Sequence, residues 1–104
     1  MPLVRACALA DVPVGVAHRV TIDGRQIAVV NLGADGVRAV DALCSHEHYF
    51  LDEGEVDVDD GTIECPKHGS TFDLNTGSPK SLPAVRPVAV YDVKVENDDI
   101  LIEV

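Results

Sequence analysis

The chain has no tryptophan and only two phenylalanines and two tyrosines, so burial must come from aliphatic and small side chains. Cations are scarce as well: eight lysines and arginines face eighteen aspartates and glutamates, a formal charge of −10. That balance excludes nucleic acid as a partner, because affinity for a polyanion comes from counterions released by cationic contacts. Basic partners are favoured instead, in encounters that added salt weakens. No apolar run approaches the roughly 20 residues of a membrane span. The start, Met1-Pro2-Leu3-Val4-Arg5-Ala6, lacks the charged region and apolar stretch of a signal peptide. A cytoplasmic protein without a membrane partner is expected. Its 104 residues leave room for one domain, 1–104, with 46% hydrophobic residues to fill one core.

Helical periodicity is missing too, and short β-branched runs between turn signals predict an all-β chain. Strands are expected over residues 4–9, 18–22, 26–32, 37–43, 62–65, 70–74, 88–96 and 100–104. Asp23-Gly24, Ala34-Asp35-Gly36 and Asn97-Asp98-Asp99 read as hairpin turns. Their regular spacing suggests a small antiparallel sandwich or barrel.

Two fragments carry chemistry. Cys44-Ser45-His46 and Cys65-Pro66-Lys67-His68 each pair one thiol with one imidazole, and eighteen residues separate them. Two thiolates and two imidazoles suit a two-iron cluster whose irons differ, one held by sulfur and the other by nitrogen. The same four donors also make a tetrahedral zinc set. Zinc modules usually keep both cysteines on one knuckle and both histidines on another, whereas this chain alternates them. Gly69 and Ser70 after His68 would also let backbone N–H groups come close, as bridging sulfides require.

At these residues the chain resembles the Rieske-type ferredoxins. The match extends through Cys44-Ser45-His46-Glu47-His48 and from Cys65 through Ser70, Phe72-Asp73 and Thr76-Gly77, and covers roughly residues 25–104. The resemblance implies a [2Fe-2S] cluster held by Cys44, His46, Cys65 and His68. It implies a β-sheet base with an inserted cluster-binding subdomain, approximately 43–83, in which 78–83 is the proline-bearing loop covering the cluster. It also implies an electron carrier and not an enzyme. A flavin-dependent reductase fed by NAD(P)H would supply one electron, and a terminal Rieske oxygenase that hydroxylates aromatic rings would receive it, with the ferredoxin acting as a monomer. Respiratory Rieske domains carry two more cysteines joined in a disulfide; Tyr49 and Lys67 occupy those places here. They also place a serine and a tyrosine that hydrogen-bond the sulfurs, where this chain has Ser70 and Phe72, so Ser70 is expected to raise the potential unless it is a solvated turn residue.

The remaining residues read more plainly. Cys7, between alternating apolar residues, is expected to be a buried core thiol. Six carboxylates within 52–60 lack the spacing of a calcium loop and read as an acidic surface hairpin. His48 is assigned to an exposed rim and His18 to the solvent face of a strand, while Tyr49, Phe50 and Leu51 offer an apolar patch beside the first ligand loop. Nothing supplies the two-histidine, one-carboxylate iron site of an oxygenase. Rival functions are a redox component of iron-sulfur assembly, the small subunit of a nitrite reductase, and a zinc-binding interaction module.

Overall fold

The computed structural model describes residues 3–43, 49–66, 69–80 and 87–103. Among the described residues ten strands run in chain order: β1 (Leu3–Ala8), β2 (Ala17–Ile22), β3 (Arg25–Asn31), β4 (Val37–Asp41), β5 (Val56–Asp57), β6 (Thr62–Glu64), β7 (Thr71–Asp73), β8 (Val90–Tyr91), β9 (Val93–Glu96) and β10 (Asp99–Glu103). They form three antiparallel sheets, ordered β1-β10-β9, β2-β3-β4-β8 and β5-β6-β7. Among the described residues the only helical pieces are single 3₁₀ turns, and no helix is long and apolar enough to cross a membrane.

At the centre of the middle sheet β3 is buried on both faces, and its sequence shows why. Ile27, Ala28, Val29 and Val30 form an unbroken apolar run, each 0% exposed, where a half-buried strand would alternate. Because successive side chains point oppositely, Ile27 and Val29 join Cys7, Ile22, Ile100 and Ile102 in one core, while Ala28 and Val30 join Leu51, Ile63, Cys65 and Phe72 in another. Burying each of the larger aliphatics contributes about 1.5–3 kcal/mol, so β3 belongs energetically to both halves. The first core unites the two larger sheets into a base; the second attaches β5-β6-β7 to it as a lobe.

Turn chemistry sets the registers. Asp23 and Gly24 have φ of 51° and 79°, and Asn97 and Asp98 have 52° and 64°. Both pairs fit the two-residue hairpin turn whose central residues need positive φ, a state that asparagine and aspartate tolerate best after glycine. The stretch 88–96, expected as one strand, breaks at Asp92. Val90–Tyr91 pairs with β4 in the middle sheet and Val93–Glu96 pairs with β10 in the outer one, so a single segment turns the corner between sheets. The remaining expected strands are found within one or two residues of their ends, and the acidic hairpin contributes β5.

His18 is corrected. It is half-buried on the face of β2 that also carries Val20 and Ile22, so it leans toward the base core and not into open solvent. Cys7 is buried as expected, and burial, then the neighbouring Asp11, push its thiol pKa up against a smaller pull from Arg5.

Candidate metal centre

The two ligand fragments emerge from closed necks. At the first, the Leu51 amide donates to the Ala42 carbonyl at 2.6 Å and Leu43 bridges to Phe50, closing a neck just past the end of β4. At the second, the Cys65 amide donates to the Ser70 carbonyl at 2.7 Å and the Gly69 amide to the Cys65 carbonyl at 3.1 Å, closing a tight turn between β6 and β7. Cys65 is described; Cys44, His46, His48 and His68 lie outside the described residues, as do 81–86 of the proline-bearing loop.

What brings the two necks together is a glycine that sequence reading passed over. Gly54 follows the turn Leu51–Glu53 and lies so close to β6 that a Cβ there would sit 1.6 Å from the Glu64 carbonyl oxygen and 3.3 Å from the Pro66 ring. No side chain fits. The adjoining Glu64 amide donates to the Glu55 carbonyl at 2.8 Å, locking the outgoing stem of the first loop against the root of the second. Leu51 and Cys65 also share the lobe core, so both necks are rooted in one packed floor. A second contact of this kind fixes the exit: a Cβ on Gly77 would lie 2.1 Å from the Val88 carbonyl oxygen, and the Val88 amide donates to the Gly77 carbonyl at 2.9 Å.

Cys65 and Ser70 are each 1% exposed, so the thiol and the hydroxyl at the turn are both shielded from water. Ser70 is therefore no solvated turn residue. Burial of this kind suits a group that accepts hydrogen bonds at sulfur and must be shielded from water. The expectation for Gly69 is revised: its N–H is used in closing the turn through the Cys65 carbonyl. Phe72, 0% exposed and opposite Ile63, packs the lobe core beside Cys65. With two cysteines and two histidines alternating in the sequence and Cys65 buried, the chemistry of the donor set fits a cluster of two unlike irons.

The apolar patch expected beside the first loop is smaller than read. Tyr49 is 40% exposed and Leu43 41%, but Leu51 is 0% exposed and Phe50 is covered by the Arg19 guanidinium, 3.8 Å from its ring centroid. Alternation around the Leu43–Phe50 bridge turns Leu51 into the core. On the lobe's outer face, Glu55, Asp57, Asp60, Glu64 and Lys80 line a cavity of about 400 Å³. Among the described residues no such group is spaced to hold a metal ion, consistent with an acidic surface. The chain past 77 runs along β7: the Asp73 amide donates to Ser78, the Lys80 amide to Thr71, and Pro79 bridges to Phe72. Proline, having no N–H, occupies a place in that run without leaving a donor unsatisfied.

The exit stem is also pinned to the base. The Tyr91 hydroxyl donates to Asp41 Oδ1 at 2.6 Å, the Ala89 amide reaches Asp41 Oδ2 at 3.3 Å, and the Asp41 amide donates to the Ala89 carbonyl at 2.9 Å. Burial, then the Asp41 carboxylate, raise the Tyr91 phenol pKa, with Arg25 pulling the other way. Asp41 precedes Cys44 by three residues, so one carboxylate ties the entry and exit of the lobe together.

Residues 3–92 match the Rieske [2Fe-2S] domain. The chain is 41% identical over 103 residues to the 3-phenylpropionate/cinnamic acid dioxygenase ferredoxin subunit of Escherichia coli (strain K12), covering 99% of this chain and 94% of that protein. In structure it is similar to the ferredoxin of carbazole 1,9a-dioxygenase from Nocardioides aromaticivorans IC177, with a TM-score of 0.92, 39% identity and coverage of 98% and 97% of the two chains. It is also similar to a chain in a complex of reduced oxygenase and oxidised ferredoxin in carbazole 1,9a-dioxygenase, with a TM-score of 0.86, 34% identity and coverage of 96% and 100%.

Proposed function

This chain belongs to the Rieske [2Fe-2S] family, and we propose on that footing that it is the one-electron carrier of an aromatic-ring-hydroxylating dioxygenase system. Cys44 and Cys65 would hold one iron and His46 and His68 the other. When bound, such a cluster accepts and donates a single electron at a potential above that of an all-cysteine ferredoxin. The chain's own residues hold and shield it: the floor of Leu51, Cys65 and Phe72 excludes water, and the Gly54 contact aligns the loops. The whole chain, 1–104, is one domain, with 43–83 as the cluster-binding subdomain.

A flavin-dependent ferredoxin reductase supplies the electron and a terminal Rieske oxygenase accepts it, in the cytoplasm, with the ferredoxin acting as a monomer. The carrier performs no chemistry on the substrate. The observation that carries this reading is the pair of Cys/His fragments in the sequence, with Leu51 and Cys65 sharing one buried core. Support for the partners comes from the relatives, which are ferredoxin components of dioxygenases. The charge of −10 adds that docking is steered electrostatically.

Reconstitution tests it. With an NADH-fed reductase and a terminal oxygenase of this kind, turnover should require the ferredoxin and slow as ionic strength rises. Oxygenase turnover that is unchanged when the ferredoxin is omitted would rule the carrier role out, and a flat salt profile would remove the electrostatic part.

A further inference from the structure

Arg19 and Asp52 lie outside both ligand motifs, yet the fold seats them at the neck of the first loop. Arg19 stands opposite Ala28 in the β2–β3 ladder, on the face of the middle sheet that is turned to the lobe. Its guanidinium covers the ring of Phe50, which bridges to Leu43, and Cys44 follows Leu43 directly. Arg19 Nε is 3.8 Å from Asp52 Oδ2, while the Asp52 side chain is only 12% exposed. The other carboxylate oxygen, Oδ1, is buried with no hydrogen-bond partner among the described residues.

For stability alone this is a poor arrangement. A separation of 3.8 Å exceeds a hydrogen bond, and a buried carboxylate with an orphaned oxygen costs desolvation that a long ion pair seldom offsets. A neutral side chain of similar shape would pack there at lower cost. What the pair supplies is two opposite charges at the neck of the first Cys/His fragment, close in the chain to a site that would gain one negative charge on reduction.

We propose that Arg19 and Asp52 are positioning residues that set the reduction potential of the centre in opposite senses. This rests on the reading above, that Cys44, His46, Cys65 and His68 hold a two-iron cluster. The cation stabilises the reduced form and the carboxylate destabilises it, so their balance fixes how readily the carrier accepts its electron. A purely structural latch behaves differently: removing either partner loosens the same contact, and both variants shift the potential the same way.

The test is spectroelectrochemical titration of the holoprotein beside Arg19→Met, Asp52→Asn and the double variant, with iron and acid-labile sulfide counted for each. At a fixed poise the ratio of reduced to oxidised protein should fall about two- to tenfold in Arg19→Met, the order expected of a nearby unit charge under partial screening. It should rise by a similar factor in Asp52→Asn and return near the parent value in the double variant. Same-direction shifts, or none, with clusters intact would overturn the proposal and leave the cluster reading untouched. A parent protein without iron and sulfide would overturn both. Should Arg19→Met lose its cluster, the isosteric Asp52→Asn decides alone: a rise supports the proposal and no rise ends it.

Discussion

In the base, β1, β2 and β3 run for six, six and seven residues and close over a core of eight buried side chains, whereas the lobe is built from strands of two, three and three. The base satisfies its backbone through long ladders and two-residue turns. The lobe holds together through neck hydrogen bonds, a core shared with β3, and glycine contacts too close for any side chain. A three-stranded sheet this short has little stability of its own. The base therefore rests mainly on burial, while the lobe rests on its floor and, under the proposed function, on the cluster.

Cys65→Ser breaks that comparison hardest. It removes one donor from the lobe and nothing from the base, so the cluster should be lost altogether. Hydrogen exchange should then keep β3 amides protected while β6 and β7 amides lose protection. Equal loss in both regions would mean that the base needs the metal too.

Ile27→Ala and Ile63→Ala sharpen it next, since both side chains are 0% exposed but belong to different cores. Each should cost about 2–5 kcal/mol. Ile27→Ala should lower the global unfolding midpoint in urea, and Ile63→Ala should first shorten the lifetime of the bound cluster. Gly54→Ala follows at about 1–3 kcal/mol, the usual cost of overpacking. Its signature is a lobe whose two loops no longer align, seen as reduced iron content with unchanged far-ultraviolet dichroism.

Tyr91→Phe should cost about 1 kcal/mol by removing the bond to Asp41. Because folding raises the Tyr91 pKa, the folded state holds that proton more tightly. The associated stability is complete below the ordinary phenol pKa near 10 and is lost as pH rises through the higher folded value. Chemical unfolding at pH 8 and pH 11 should show the parent losing more stability than Tyr91→Phe. Smallest is Ser70→Ala, which should lower the potential without unfolding anything; film voltammetry that finds no change would take the serine out of the account.

The same division marks what the sequence made legible. The base was readable because alternation and turn residues act locally: Asp23-Gly24 and Asn97-Asp98 announce their hairpins, and Cys7 its burial. Of the four proposed donors the structure describes Cys65, so the ligand reading rests on residue type and spacing in the sequence. Leu51 was mistaken for surface and Gly54 was passed over because each is decided by a neighbour distant in sequence, the lobe core for one and the Glu64 carbonyl for the other. The break at Asp92 was hidden for a related reason, since nothing local tells a strand that its second half will pair with another sheet. Arg19 and Asp52 belong to the same class: thirty-three residues apart, they meet only once the lobe is docked.

Mössbauer spectroscopy of ⁵⁷Fe-enriched, dithionite-reduced protein, with a sulfide count on the same sample, tests the central claim most directly. Two irons and two sulfides per chain, with one iron ferric on sulfur and the other ferrous on nitrogen, is the predicted result. Two equivalent irons, or a single zinc without sulfide, would contradict it.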